Sequence, residues 1–211
     1  MTLGRAYCRG PVKRVFDVAI SVAALIVLAP VFLIVSIVVL LASGRPVLFT
    51  QERVGMDGRP FRLVKFRTMH RAAAAGLPLT GRGDPRVTRP GRFLRAAKLD
   101  ELPQLWNVLR GGMSLVGPRP EVPRYVALYT IEQRRVLEVR PGLTDPASVL
   151  FRDEEALIGS VPERQRETFY LETVLPKKLR MNLEYIDRAS VAYDLALVLK
   201  TIRIVLWPAS S

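Results

Sequence analysis

Residues 18–42, VAISVAALIVLAPVFLIVSIVVLLA, run for 25 positions without a charged side chain. About 20 apolar residues suffice to cross the hydrocarbon core of a bilayer, so this run is long enough to enter one as a helix. It does not read as a cleaved signal peptide. Such a peptide has an apolar region of only about 7–15 residues, and no cleavage site precedes Gly44-Arg45-Pro46. Two features oppose a straight span. Pro30 stands in the middle, where it removes a backbone hydrogen bond and kinks a helix. Arg5, Arg9, Lys13 and Arg14 precede the run, with no acid before Asp17, and Arg45, Arg53 and a basic remainder follow it. Lys/Arg-rich flanks stay on the cytoplasmic side, so both ends favour the same side. A helix that enters, bends at Pro30 and leaves by the same leaflet satisfies both features; a kinked single span is the alternative. The chain therefore divides into residues 1–44, an N-terminal segment with a re-entrant membrane helix, and residues 45–211, a cytosolic domain with helices at the membrane interface.

The remainder is strongly basic. The 211 residues carry 32 Lys and Arg against 19 Asp and Glu, a net charge of +13. That balance implies an anionic partner: nucleic acid, anionic lipid or a phosphorylated small molecule. Cys8 is the only cysteine, which excludes an intrachain disulfide and suits a reducing compartment. His70 is also alone, so His clusters and Ser–His triads have little to build on.

Residues 46–51 and 60–67 are β-favouring runs around Asp57-Gly58, a strong turn signal, and predict a β-hairpin. Residues 72–75 suggest one helical turn, and residues 76–91 read as a Gly-, Pro- and Arg-rich loop. A short basic helix is expected over 92–98. A second starts at Asp100 or Glu101 and ends near Gly111-Gly112, with Pro103 tolerable only in its first turn. Gly117-Pro118-Arg119-Pro120 must be a rigid connection, and residues 121–139 are again helical in pattern. Residues 162–207 read as helices with a break near Pro176. In the last of them Asp187, Ser190, Asp194 and Thr201 form a narrow polar stripe, so that helix either fills the core or lies in the membrane interface, with Lys200, Arg203 and Trp207 near the headgroups. The fold class expected is α+β and mostly helical.

The chemistry concentrates at residues 99–107, LDELPQLWN, where Asp100 and Glu101 stand among Arg86, Arg89, Arg92, Arg95, Lys98, Arg110 and Arg119. Carboxylates among guanidinium groups stay ionised at neutral pH and can sit beside a phosphorylated substrate. One carboxylate can attack phosphorus while the other tunes charge or helps hold a metal. Mg²⁺ held through one or two carboxylates plus substrate phosphates is the usual arrangement. Asp100 also suits a helix N-cap, and Glu101 a first turn. Lys65 in Lys65-Phe66-Arg67-Thr68 is on local sequence a solvated strand-end charge, whereas the two prolines around Arg119 preset an arginine to grip phosphate. The basic run over 82–98 has only Phe93 as an interleaved aromatic, which is poor support for nucleic-acid binding.

Six motifs in order resemble the bacterial sugar transferases that start glycan assembly on a polyprenol carrier, the monotopic phosphoglycosyl transferases. They are Lys13-Arg14-Val15-Phe16-Asp17, Gln51-Glu52-Arg53-Val54-Gly55, Lys65-Phe66-Arg67-Thr68-Met69, residues 99–107, Ser114-Leu115-Val116-Gly117-Pro118-Arg119-Pro120 and Arg140-Pro141-Gly142-Leu143-Thr144. The resemblance spans almost the whole chain and is to the minimal catalytic form. It implies a re-entrant helix–break–helix at the cytoplasmic face of the bacterial plasma membrane. It further implies attack by Asp100 on the β-phosphate of a nucleoside-diphosphate sugar, usually a UDP-sugar, with release of UMP. The phosphosugar on Asp100 would then pass to polyprenol phosphate. Glu101 would complete the dyad, Mg²⁺ would be the cofactor bound by both acids, and Lys65, Arg95 and Arg119 would surround the phosphates. The sequence departs from its relatives at Ala29, where a Ser often precedes the break proline, and at Asp145-Pro146-Ala147-Ser148, where many carry Gly-Trp-Ala-Gln. Two other readings remain: a membrane-anchored basic adaptor for anionic lipid or nucleic acid, and a membrane phosphatase. Neither the sugar nor the oligomeric state is legible.

Overall fold

The computed structural model describes residues 2–70, 79–81, 83–151 and 153–206. The helical turn expected over 72–75 and the headgroup position of Trp207 lie outside them. Helix α1 (Leu3–Arg9) is capped by Thr2, whose hydroxyl accepts from the Arg5 amide at 3.3 Å. Helices α2 (Pro11–Val27) and α3 (Ala29–Ser43) follow, bent by 64° at Leu28. The bend falls where expected. Pro30 sits in the first turn of α3, where its missing N–H needs no helical partner, so the proline is tolerated where the helical ladder is interrupted at the bend. Among the described residues no single helix is long and apolar enough to cross a membrane, although this bent pair together is.

Each half of the pair has two faces. On α2, Lys13, Asp17 and Ser21 recur every fourth residue and are buried against the rest of the protein, while Val15, Val22 and Ile26 are exposed. On α3, Val35 and Val39 pack with Phe66 and Leu94, and Leu33, Ile34, Ile37 and Leu41 are exposed.

Strands β1 (Leu48–Val54) and β2 (Pro60–Phe66) form the expected antiparallel hairpin, and Asp57 takes the left-handed conformation (φ 56°) that the turn requires. Helix α4 (Arg89–Ala96) begins three residues earlier than the sequence suggests, because Thr88 caps it and Pro90 occupies its first turn. A 3₁₀ turn (Leu99–Glu101) then leads into α5 (Gln104–Leu109). Beyond lie β3 (Ser114–Val116), α6 (Pro123–Val126), a 3₁₀ segment (Gln133–Glu138), β4 (Gly142–Thr144), α7 (Pro146–Leu150), α8 (Glu154–Gly159) and α9 (Arg166–Phe169). A π turn (Tyr170–Val174), α10 (Leu175–Arg188) and α11 (Val191–Leu206) complete the order.

Three expectations change. The helix over 121–139 is two short pieces, because Thr130 and Gln133 form a capping box that restarts the chain: the Gln133 amide donates to Thr130 Oγ1 and the Thr130 amide to Gln133 Oε1. Pro176 breaks nothing; it sits in the first turn of α10, and the irregularity is the π turn before it. In the polar stripe, Asp187 lies on α10 and Ser190 precedes α11. Asp194 and Thr201 face inward, while Val191, Leu195, Leu199 and Ile202 are exposed. Helix α11 therefore turns two polar residues inward beside Leu197 and leaves a row of apolar residues exposed together with Lys200 and Arg203.

The main core joins α1, α2, the hairpin, α5, β3 and the helices that follow, while α3 and α4 pack in the second cluster with Phe66. Cys8, Leu63, Leu105, Val108, Leu115 and Val116 pack with Tyr185, Ile186 and Leu197, with Tyr7, Phe16 and Ile20 against them. Helix α1 lies directly on α10: a Cβ on Gly4 would meet the Ile186 carbonyl oxygen at 2.5 Å.

Candidate active site

Lys98 adopts φ 55°, and this left-handed residue ends α4 and throws the chain into the tight turn that carries Asp100 and Glu101. Asp100 caps no helix, contrary to the N-cap alternative; Pro103 holds the N-cap position of α5 without a side-chain bond. Its carboxylate makes no hydrogen bond or ion pair among the described residues, although the residue is only 6% exposed.

Lys65 and Glu101 are brought together by Asn107 of α5. Its side chain accepts from the Val64 amide at 3.0 Å and donates to the Arg62 carbonyl at 2.7 Å, clasping β2 as a neighbouring strand would. Lys65 Nζ then reaches Glu101 Oε1 at 3.0 Å. Lys65 is thus paired and not the solvated charge its local sequence suggests.

Arg119 arrives from the opposite side. Strands β3 and β4 run parallel, and Gly117 and Gly142 cross so closely that a Cβ on Gly142 would sit 2.1 Å from the Gly117 nitrogen. From this crossing the Pro-bracketed segment projects Arg119 onto Glu101, with Nη1 donating to Oε2 at 3.2 Å and Nη2 donating to Oε1. Burial alone would raise the Glu101 pKa, but Arg119 and Lys65 hold it well below the usual carboxylate range. Glu101 in turn holds Arg119 firmly protonated, while burial pulls Lys65 down. Asp100 behaves oppositely. Burial pushes its carboxyl up to about 6, with Lys65 restraining the rise and Glu101 adding to it.

These groups line one cavity of about 930 Å³, together with Arg95 and Lys98. Arg95 Nε donates to Glu155 of α8 at 2.7 Å, a partner that no local pattern announced. Glu101, Glu121, Glu154 and Glu155 also line the cavity, and each is ion-paired. Among the described acids of the cavity, only Asp100 is not. The cavity also reaches Ile20, Ala24, Leu28 and Val31 at the bend of the helix pair. Of the divergent segment, Asp145 caps α7 through the amides of Ala147 and Ser148, and Ser148 faces the cavity.

No three His, Cys, Asp or Glu residues converge as a metal cage among the described residues. The donor set fits Mg²⁺ held chiefly by substrate phosphates, with Asp100 supplying the available carboxylate; both Glu101 oxygens already accept from cations.

A family profile described as bacterial sugar transferase matches residues 8–208. The chain belongs to the bacterial sugar transferase family. Among relatives of this sugar transferase is the UDP-glucose:undecaprenyl-phosphate glucose-1-phosphate transferase of Caulobacter vibrioides, 40% identical over 202 residues, covering 90% of this chain and 68% of that protein. The undecaprenyl-phosphate glucose phosphotransferase of Komagataeibacter xylinus is 38% identical over 90% of this chain, which spans 35% of that protein's length. The UDP-N-acetylgalactosamine-undecaprenyl-phosphate N-acetylgalactosaminephosphotransferase of Aeromonas hydrophila is 35% identical over 92% of this chain and 44% of its own length. The candidate site thus combines one unpaired carboxylate with a cationic surround and an apolar border.

Proposed function

We propose that this sugar transferase moves a sugar 1-phosphate from a nucleoside-diphosphate sugar, a UDP-sugar by analogy with the relatives' names, to polyprenol phosphate as the first membrane step of a bacterial glycan. The observation that carries the reading is the unpaired Asp100 carboxylate in a cavity ringed by Lys65, Arg95, Lys98 and Arg119. An Asp100 oxygen attacks the β-phosphorus; the bond from that phosphorus to the oxygen bridging the α-phosphate breaks, and UMP leaves. A phosphate oxygen of polyprenol phosphate then attacks the same phosphorus, the acyl-phosphate bond breaks, and the carboxylate is regenerated. Lys65 and Arg119 stabilise charge developing on the transferred phosphoryl group, and Glu101 keeps both cations aimed there. Mg²⁺, when bound, neutralises the diphosphate and supports the departing UMP.

The acceptor reaches Asp100 along the apolar border at Leu28 and Val31. Re-entrant geometry is supported by α1 lying on α10, because the segments before and after the bent pair belong to one packed body. That body would sit at the cytoplasmic face of the plasma membrane, where nucleotide sugars are available. The test is Mg²⁺-dependent UMP release from a UDP-sugar, with a phosphosugar adduct on Asp100 trapped when undecaprenyl phosphate is withheld. Full turnover by Asp100→Asn overturns the mechanism.

A further inference from the structure

A second polar cluster, most of it buried, lines the same cavity beside the acids and cations described above. Its members are Arg53, Glu121, Glu154, Tyr170 and Lys178. Tyr170, Lys178 and Glu121 are 2%, 3% and 8% exposed. The Tyr170 hydroxyl donates to Glu121 Oε1, and Lys178 Nζ lies 2.9 Å from Glu154 Oε2, 3.4 Å from the Tyr170 oxygen and 4.0 Å from Glu121 Oε1. Arg53 Nη1 donates to Glu121 Oε2 at 3.4 Å and to the Pro120 carbonyl at 3.1 Å. Arg53 Nε is buried and donates to nothing among the described residues.

The two clusters are joined by backbone. Arg119 grips Glu101 and Glu121 anchors the second cluster, two residues apart on one rigid connection. Their electrostatics differ. Lys65, Arg95, Lys98 and Arg119 outnumber Asp100 and Glu101, so that end attracts phosphate. In the second cluster two cations balance two carboxylates, which leaves a neutral region dense in donors and acceptors. A nucleotide sugar is divided in the same way, into an anionic diphosphate and neutral, hydroxyl-bearing ends. A nucleobase held by stacking would need an open aromatic face. Tyr170 offers none, with Tyr125 against its ring at a centroid distance of 5.5 Å and Lys178 Nζ 5.3 Å from its centroid.

We propose that Arg53, Glu121, Glu154, Tyr170 and Lys178 read the hydroxyls of the hexose ring and so set which sugar is transferred. This rests on the transferase reading above. A buried site built to hydrogen-bond a hydroxyl discriminates strongly against the epimer that leaves its groups unpaired. The relatives fit such a division, because they share the family yet name glucose and N-acetylgalactosamine.

The test compares wild type, Tyr170→Phe and Glu154→Gln with undecaprenyl phosphate and four donors: UDP-glucose, UDP-galactose and their 2-acetamido counterparts. The expected result is a change of at least tenfold in one epimer ratio of kcat/KM, with inhibition by UMP unchanged. Where wild type accepts a single donor, its kcat/KM falls at least tenfold in Glu154→Gln, again with UMP inhibition unchanged. An equal loss on every accepted donor where wild type takes several, unaltered kcat/KM, or weakening of UMP inhibition in step with the donor overturns the assignment. Glu154 is the more exposed of the two and decides the matter where Tyr170→Phe fails to fold. Wild-type failure to release UMP from any UDP-sugar overturns the transferase reading itself.

Discussion

At pH 8 the folded protein holds Asp100 ionised against its surroundings, since burial has moved the carboxyl from its ordinary 3.8 to about 6. The folded state binds this proton more tightly than the unfolded chain. Stability from this group therefore falls as pH rises through the window from 3.8 to about 6, and stays low above it. Asp100→Asn should accordingly raise the unfolding free energy at pH 8 by about 2–3 kcal/mol, seen as a higher Tm in detergent, while transfer falls by at least about 10³-fold. A lower Tm would show that the carboxylate contributes to the fold. The grouping of Asp100 and Glu101 with cations was legible because two adjacent acids stood among arginines. Lys178 was not, because beside Lys177 it looks like one of a solvated pair; it is buried by Tyr170, Glu121 and Glu154, which the fold gathers around it.

Among elements, α5 and the hairpin act as one unit through the Asn107 clasp. Asn107→Ala leaves an amide and a carbonyl of β2 without their partners, which costs about 1–3 kcal/mol, and it lets Lys65 drift from Glu101. Thermal unfolding checks the first effect, and kcat/KM for the donor the second, with a loss of roughly tenfold or more expected. A normal Tm with normal kcat/KM would remove Asn107 from this role. The hairpin itself could be read from Asp57-Gly58 between β-favouring runs. The β3–β4 pair could not: three residues on each side leave no periodicity, and the pairing depends on Gly117 and Gly142 meeting across a long loop. The capping box at Thr130 and Gln133 is readable in the sequence, but the helical pattern of residues 121–139 runs straight across it.

For the molecule as a whole, the bent pair puts both of its flanks on one packed body. Leu3 and Ile131, each 92% exposed, provide labelling positions, while the native Cys8 is 2% exposed. Cysteines introduced at both should react with an impermeant maleimide from the same side of sealed vesicles, and labelling from opposite sides would exclude the re-entrant arrangement. The charges flanking the apolar run were legible in sequence, but their use was not. Arg5 pairs with Glu138, Arg9 with Asp57, Lys13 with Asp194, and Arg14 donates to the carbonyls of Val108 and Leu109. Asp194 is the deepest of these contacts. It is fully buried, with Lys13 Nζ at 2.6 Å and the hydroxyls of Tyr7 and Tyr185 at 2.8 and 2.6 Å. Asp194→Ala should cost about 3–5 kcal/mol, measured by chemical unfolding in detergent, because it leaves the buried lysine only Asp17 at 3.6 Å and takes the acceptor from two tyrosine hydroxyls. The same contact has a consequence for biosynthesis. The ribosome makes Lys13 181 residues before the carboxylate that answers it. Until the last helix emerges, the nascent anchor holds that ammonium with only Asp17, 3.6 Å away, for company. The segment around Lys13 therefore reaches its final seat only after α11 has been translated.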